Sequence, residues 1–336
     1  MGYQFTKAEA EHMFEKWGSQ YDVFAPKLME GEGCFSDTDV VRYGKVTSLD
    51  EIVWDRKSDY SLKEVLLAIN ETLFYFTEDK TTVPEGPQKD ILIFLRSCDL
   101  CAVQRLDEIY LKNGYEDFYY ARVRKRVKFI LMGCKTSCAS GFCVSMGTNQ
   151  ARQYDAYVKV DNTQKVVYAD IKDKVLKAFV EGGKEIEVTP DYVTENVEKV
   201  NLPKNLSNKS FENTIWQEYG DRCIGCGRCN FACPTCTCFT MQDIFYKENA
   251  KVGERRRVWA SCQVDGYTDM AGGHSYRKTQ GERLRFKVMH KIYDFEKRFG
   301  YPMCVGCGRC DDICPEYISF SNCVNRLAKE EAEHEK

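Results

Sequence analysis

The sequence predicts an α+β chain, with a mixed α/β domain over residues 1–200, a linker at 201–212, and a mainly helical, cysteine-rich domain over residues 213–336. Three observations carry this. Short apolar runs alternate with helix-period segments through the first 200 residues, the stretch 201–209 (NLPKNLSNK) is polar and turn-rich, and one twelve-residue string occurs twice near the end. Its two copies read CIGCGRCNFACP at 223–234 and CVGCGRCDDICP at 304–315. With 336 residues, 43% of them hydrophobic, the chain can form two domains with real cores.

Along the first domain, three capping boxes mark helix starts: Thr6 with Glu9, Ser48 with Glu51, and Ser61 with Glu64. Residues 30–39 and 81–89 (TTVPEGPQK) read as loops. Residues 91–95 then form a short buried strand, 99–112 a helix, 118–126 a second amphipathic stretch, and 128–132 (KFILM) another buried strand. That order is β-α-β, which makes the two strands parallel neighbours. Residues 154–160 and 166–170 flank Asp161-Asn162-Thr163 as a hairpin, 172–180 reads as a helix, and the tail 326–336 as a charged helix end.

Composition excludes several roles. A net charge of −3 without a basic domain argues against nucleic acid as a ligand. No apolar run approaches the roughly 20 residues that span a bilayer, so no membrane span is expected. Met1-Gly2-Tyr3-Gln4 leads toward a capped helix rather than through a secretory leader, so the eighteen cysteines are expected in a reducing cytoplasm.

Each repeated string is C-x2-C-x2-C-x3-C-P, the ferredoxin spacing that holds [4Fe-4S] clusters. Gly225, Gly227, Gly306 and Gly308 let the backbone curl around a cluster, while Pro234 and Pro315 turn the chain away after each fourth cysteine. The fourth thiol therefore serves the other cluster. This predicts one cluster on Cys223, Cys226, Cys229 and Cys314, and a second on Cys304, Cys307, Cys310 and Cys233. Zinc would call for paired C-x2-C knuckles, which fit two matched quartets poorly.

A third group lies in the first domain. If strands 91–95 and 128–132 are parallel, Cys98 and Cys134 both follow strand carboxyl ends on one sheet edge, where α/β sheets gather ligands. Cys101, Cys138 and Cys143 lie nearby in sequence, so a third cluster is expected on Cys98, Cys134 and Cys143. Its fourth ligand is left open between Asp99, Cys101 and Cys138. Four further cysteines, Cys236, Cys238, Cys262 and Cys323, are expected to pack against the clusters and tune their surroundings. Residues 251–257 (KVGERRR) and 277–285 are basic, and read either as a docking face or as a solvated surface with ordinary ion pairs. His274, in the Gly-rich loop between them, reads as structural before it reads as a contact to a cluster.

Several strings together resemble the iron–sulfur electron-transfer component of the anaerobic sulfite reductases: Cys98-Asp99, ETLFYF at 71–76, FCVSMGTN at 142–149, CIGCGRCNFACPTCTC at 223–238, RVWASC at 257–262, DMAGGH at 269–274, and the second ferredoxin repeat. The similarity runs along nearly the whole chain, with a wider kinship to the iron–sulfur β subunits of cytoplasmic sulfhydrogenases. What the resemblance implies is an electron-transfer subunit of a three-subunit cytoplasmic enzyme. An NADH-oxidising flavin subunit would feed it electrons, and a siroheme subunit would reduce sulfite to sulfide. Cys98, Cys134 and Cys143 match the pattern of that family whereas Cys101 and Cys138 do not, which favours Asp99 as the fourth ligand of the third centre. No G-x-G-x-x-G after a strand, P-loop or nucleophile–base pair points to catalysis by this chain itself.

Overall fold

The computed structural model describes residues 2–33, 37–204, 206, 208–246 and 249–334, so parts of the expected loop at 30–39, linker at 201–212 and tail at 326–336 lie outside the described residues. Its strands are β1 (Gly2–Thr6), β2 (Tyr21–Met29), β3 (Val40–Lys45), β4 (Asn70–Phe76), β5 (Thr81–Thr82), β6 (Asp90–Leu95), β7 (Val127–Met132), β8 (Ala156–Asp161), β9 (Val166–Ile171), β10 (Lys184–Ile186), β11 (Phe239–Tyr246), β12 (Asn249–Trp259), β13 (Asp269–Met270) and β14 (His274–Ser275). The α-helices are α1 (Lys7–Gln20), α2 (Lys63–Leu66), α3 (Ser97–Leu111), α4 (Phe118–Arg124), α5 (Lys174–Lys177), α6 (Ile215–Arg222), α7 (Arg228–Ala232), α8 (Gln280–Met289), α9 (Phe295–Phe299), α10 (Arg309–Asp312) and α11 (Phe320–His334).

Two compact units form, and neither is one continuous segment. The first comprises Met1–Leu67, Glu85–Cys138 and Thr148–Glu195; the second comprises Ala68–Pro84, Ala139–Gly147 and Asn196–Lys336. Division at 201–212 alone leaves the stretches 68–84 and 139–147 with the first domain, whereas contacts group them with the second unit.

An eight-stranded sheet, ordered β10-β1-β9-β8-β7-β6-β2-β3, organises the first unit. Its middle strands β2, β6, β7 and β8 are parallel, and Ile91–Leu95 pair with Val127–Leu131 in the register of the expected β-α-β crossover. Leu92, Ile93, Phe94 and Leu95 have no exposed surface, as a parallel strand covered on both faces requires. The hairpin forms as β8 and β9. Thr6 and Glu9 build the expected capping box of α1, which buries Ala10, Met13, Phe14 and Trp17 along one face at i, i+3, i+4 and i+7.

The other two capping boxes do not form. Glu51 instead accepts from Thr47 N at 3.0 Å and Thr47 Oγ1 at 2.6 Å, one residue earlier than expected, and only a 3-10 turn follows Ser48. Among the described residues no partner hydrogen-bonds the buried Ser61 Oγ, and the helix after it is a single turn. The helix expected at 172–180 is likewise only the one turn of α5, capped by Asp173.

The second unit carries strands beside the helices expected of it. The insertion between the two repeats folds as the β11–β12 hairpin, which pairs with β4 and, through it, β5 from the stretch 68–84. The basic string at 251–257 lies in β12 and neutralises itself locally: Arg255 pairs with Asp243, Arg256 with Glu254, Arg257 with Glu71 and Lys251 with Glu78. Helices α6, α8 and α11 form a separate core around Trp216, Tyr219, Leu284, Val288, Phe320, Val324 and Leu327. α6 and α8 meet at a glycine pair, since a Cβ on Gly220 would stand 2.6 Å from Gly281 Cα.

Arg257 is 6% exposed and donates to Glu71 Oε2 from Nε at 3.2 Å and Nη2 at 2.7 Å, tying β12 to β4. Glu71→Ala leaves a buried guanidinium without this carboxylate, and a stability loss on the order of 3 kcal/mol is expected. A lower urea midpoint for the second unit checks it, and an unchanged midpoint shows that the pair contributes nothing.

Candidate iron–sulfur site

Both repeats fold alike. Gly225, Gly227, Gly306 and Gly308 have φ of 68°, 76°, 63° and 72°, the left-handed region, and Gly227 and Gly308 each open a one-turn helix, α7 and α10. At the second repeat the space is also taken, because a Cβ on Gly308 would stand 2.2 Å from Ser140 O and one on Gly306 would stand 2.6 Å from Phe142 O. The segment around Phe142 lies against this loop, with Phe142 N donating to Gly306 O at 2.7 Å.

The two repeats are interleaved. A recess of about 580 Å³, part of it open solvent, is lined by Cys223, Cys226 and Cys229 of the first repeat together with Cys310 and Cys314 of the second. Burial raises the pKa of Cys223, and Cys229, Cys226 and Cys314 add to the shift by proximity. On the other side, Cys304 is pushed up to about 12 by burial, with Cys307 and Cys233 contributing, and Cys310 is raised by burial with Cys233 again among its neighbours. Each fourth cysteine thus stands among the first three of the other repeat. Backbone N–H groups point at the sulfurs, Gly306 N to Cys304 Sγ at 3.4 Å and Ile318 N to Cys314 Sγ at 3.3 Å.

Two lysines go into this interior with the thiols. Lys287 of α8 is 5% exposed and Lys291 is 3% exposed. Among the described residues neither forms an ion pair with a carboxylate; Lys291 Nζ donates to Thr235 Oγ1 at 2.7 Å and approaches Met303 Sδ at 3.5 Å. Burial works against both ammonium groups. It is more than offset by Cys229, Cys310 and Cys236 around Lys287 and by Cys233, Cys236 and Cys304 around Lys291, so both pKa values stand above the ordinary lysine value. A π-helical turn over His290–Asp294 follows α8, and Lys291 O accepts from Met303 N at 2.9 Å and Cys304 N at 3.2 Å, joining this turn to the start of the second repeat.

This interior fits an iron–sulfur cluster. Soft thiolate donors, N–H groups aimed at sulfur, and buried cations that need an anion are what an anionic cluster with cysteine ligands requires. Among the described residues no three His, Cys, Asp or Glu side chains are set to hold a single metal ion. Thiols spread around a recess suit a polynuclear cluster, which takes one per iron.

In the first unit, Cys98 opens α3 and Cys134 follows β7, both at the strand ends expected for them. Between them lies Arg96, which sequence reasoning missed because an arginine after a buried strand carries no motif. Its Nη1 donates to Gly133 O at 3.2 Å and Cys134 Sγ at 3.3 Å, and its Nη2 donates to Trp54 O and Arg56 O at 2.8 and 2.9 Å. Burial opposes the Arg96 charge, and Cys134, Cys138 and Cys98 outweigh it. Asp99 is 1% exposed, with Tyr43 Oη 3.5 Å from its carboxylate. Cys101 turns away toward Thr148 O and Gln150 O, as a packed thiol does. Cys143 belongs to the second unit, where Asn196 Nδ2 lies 3.6 Å from its sulfur.

Of the four further cysteines, Cys323 lines the recess between the repeats and the other three gather elsewhere. Cys236, Cys238 and Cys262 line a second cavity of about 590 Å³, part of it open solvent, with Tyr267, Arg277, His290, Lys287 and Lys291. Burial, then Lys291 and Arg277, pull His290 down to about 4, so its imidazole is neutral at pH 7. His274 is exposed in β14 with its ring edge-on to Tyr276, away from both cavities.

Residues 222–318 match the family model of the 4Fe-4S dicluster domain. The β subunit of sulfhydrogenase 2 from Pyrococcus furiosus is 30% identical over 304 residues, covering 85% of this chain and 88% of that protein. No solved structure matches. No helix among the described residues is long and apolar enough to cross a membrane. The dicluster domain and the likeness to that subunit over most of both chains agree: the chain belongs to the family of sulfhydrogenase β subunits.

Proposed function

We propose that this chain is the iron–sulfur electron-transfer subunit of a multi-subunit oxidoreductase of the sulfhydrogenase type, and that it performs no bond-making itself. The observation that carries the reading is the interleaving of the repeats, with Cys314 beside Cys223, Cys226 and Cys229 and Cys233 beside Cys304 and Cys310. Cys223, Cys226, Cys229 and Cys314 would hold one [4Fe-4S] cluster, and Cys304, Cys307, Cys310 and Cys233 the other. When bound, such clusters supply one-electron redox chemistry. The chain's own residues hold the thiolates in place, screen them from water and compensate their charge. Lys287 and Lys291 do the last of these from one helical segment, since four positions along a helix share a face.

In the first unit, Cys98, Asp99 and Cys134 with the Arg96 guanidinium are the candidate foundation of a third centre, with Cys138 as a further thiol of the same unit. Cytoplasmic residence goes with the same reading, because iron–sulfur clusters and free thiols persist in a reducing compartment.

A second reading keeps the same role in a different complex. The strings at 142–149 and 257–274 favour an anaerobic sulfite reductase, with a flavin subunit oxidising NADH and a siroheme subunit reducing sulfite. Anaerobic co-purification separates the two: a nickel-bearing partner supports the sulfhydrogenase type, and a siroheme-bearing partner supports sulfite reduction. Sulfite turnover by the isolated chain with a strong artificial reductant overturns the relay reading in either form.

Three outcomes are expected of variants. Cys233→Ala damages the cluster on Cys304, Cys307 and Cys310 rather than the one beside it in sequence, read as loss of one of two electron paramagnetic resonance signals; loss of the other signal refutes the crossing. Cys98→Ser removes about a third of the bound iron if the third centre forms, and unchanged iron relegates these thiols to packing. Lys291→Met keeps the iron and lowers a cluster midpoint by on the order of 60 mV, the one-electron equivalent of tenfold, because a lost cation disfavours the added electron. An unchanged midpoint with full iron removes Lys291 from any tuning role.

A further inference from the structure

The cavity that gathers Cys236, Cys238 and Cys262 is left unused by an electron relay. Its thiols sort into pairs: Cys236 stands beside Cys233, an expected cluster ligand, and Cys238 stands beside Cys262. The β11–β12 hairpin sets the second pair. Phe239 faces Trp259 in its ladder and Ala260 N donates to Cys238 O at 3.0 Å, so Cys238 and Cys262 stand where the two strands leave the sheet, both facing the cavity.

The two sulfurs are not equivalent. Asn230 Nδ2 lies 3.1 Å from Cys262 Sγ and Gln263 Nε2 lies 3.6 Å from it, and each of these amides is 1% exposed. Cys262 is pulled below the ordinary thiol value by the Cys238 hydrogen bond first, and by those amides and Lys287 as well, against burial. The neighbouring Cys262, and then burial, push Cys238 up, so it keeps its proton. A thiolate held beside a protonated thiol is the arrangement from which a disulfide closes. Asn230 also ties the pair to the first repeat, since it follows Cys229 in α7.

We propose that Cys238 and Cys262 are a reversible dithiol–disulfide couple, a two-electron site beside the one-electron iron–sulfur centres. It rests on the electron-relay reading for its electron acceptors. In oxidation the Cys238 S–H bond breaks and its proton leaves to water through the cavity. One S–S bond forms between Cys238 and Cys262, and the two electrons would pass singly to two oxidised [4Fe-4S] clusters held by the repeats. Reduction returns two electrons and one proton to the same atoms. Such a couple lets a chain that carries electrons one at a time exchange them in pairs.

The test uses the full chain purified anaerobically with its iron, equilibrated with reduced and oxidised dithiothreitol at fixed ratios, then quenched in acid, unfolded and alkylated. All 18 cysteines are expected to alkylate at the reducing end. Two fewer are expected at the oxidising end, lost together along a two-electron curve of 29.6 mV per tenfold, with a Cys238–Cys262 cross-linked peptide on digestion. Cys262→Ser and Cys238→Ser abolish the step with iron unchanged, and Cys236→Ser preserves it. Full alkylation at every ratio, a cross-link between other cysteines, or iron loss in the Cys238→Ser and Cys262→Ser proteins but not in Cys236→Ser overturns the couple. An iron-free chain in which the pair still closes removes the relay reading instead.

Discussion

A buried ammonium group needs an anion, and this requirement orders the second unit. Lys287 and Lys291 are taken almost completely out of water, yet among the described residues no carboxylate meets either of them. Such burial costs several kcal/mol per charge unless an opposite charge stands close by. The surroundings that remain are thiols from both repeats, so the lysines are stable as cations only when those sulfurs carry negative charge. Metal coordination supplies that charge by deprotonating the thiols, which burial alone holds protonated. Folding of this interior and loading of its cysteines are therefore coupled, and the helix carrying the lysines, the π-helical turn and the crossing of the repeats are parts of one electrostatic arrangement.

Much of this was legible in the chain. The spacing of the cysteines and the position of Pro234 and Pro315 anticipate the interleaving because they depend on local backbone geometry, which a short string encodes completely. The β6–β7 crossover was legible for a similar reason: two runs buried on both faces with a helix between them have few alternatives. The second sheet was not. β4 lies far from β12 in sequence, and the charges of 251–257 mask a strand whose arginines find carboxylates on neighbouring strands. Two capping boxes failed because a Ser followed by Glu is compatible with several local turns, and tertiary contacts chose others. Thr47 captured Glu51, and among the described residues no partner meets the buried Ser61 hydroxyl.

Buried cations were the least legible feature. Lys287 and Lys291 sit in the string FKVMHKIY, where a four-residue spacing of lysines reads as an exposed helical stripe. Arg96 is similar, a single arginine whose guanidinium holds two carbonyls of the 54–56 segment and one beyond β7 while facing the thiols. In both units the cation approaches cysteines rather than carboxylates. Sequence patterns describe which residues avoid water, but which charge is paired inside depends on partners brought from elsewhere in the fold.

The scaffold also explains why the strings and the full-length likeness point to different complexes without contradiction. Everything that this chain contributes chemically, soft ligands, compensating cations and a water-poor interior, is indifferent to what finally accepts the electrons. Partners with different terminal acceptors need the same relay, and discrimination between them belongs to surfaces and to the partner's own cofactor. On the hairpin strand β12 the charges are largely satisfied within the unit, which leaves little free charge there for steering a partner over long distance. On the neighbouring strand β11 the exposed groups include large apolar ones, Phe245 and Met241 among them, and such side chains cost little to desolvate.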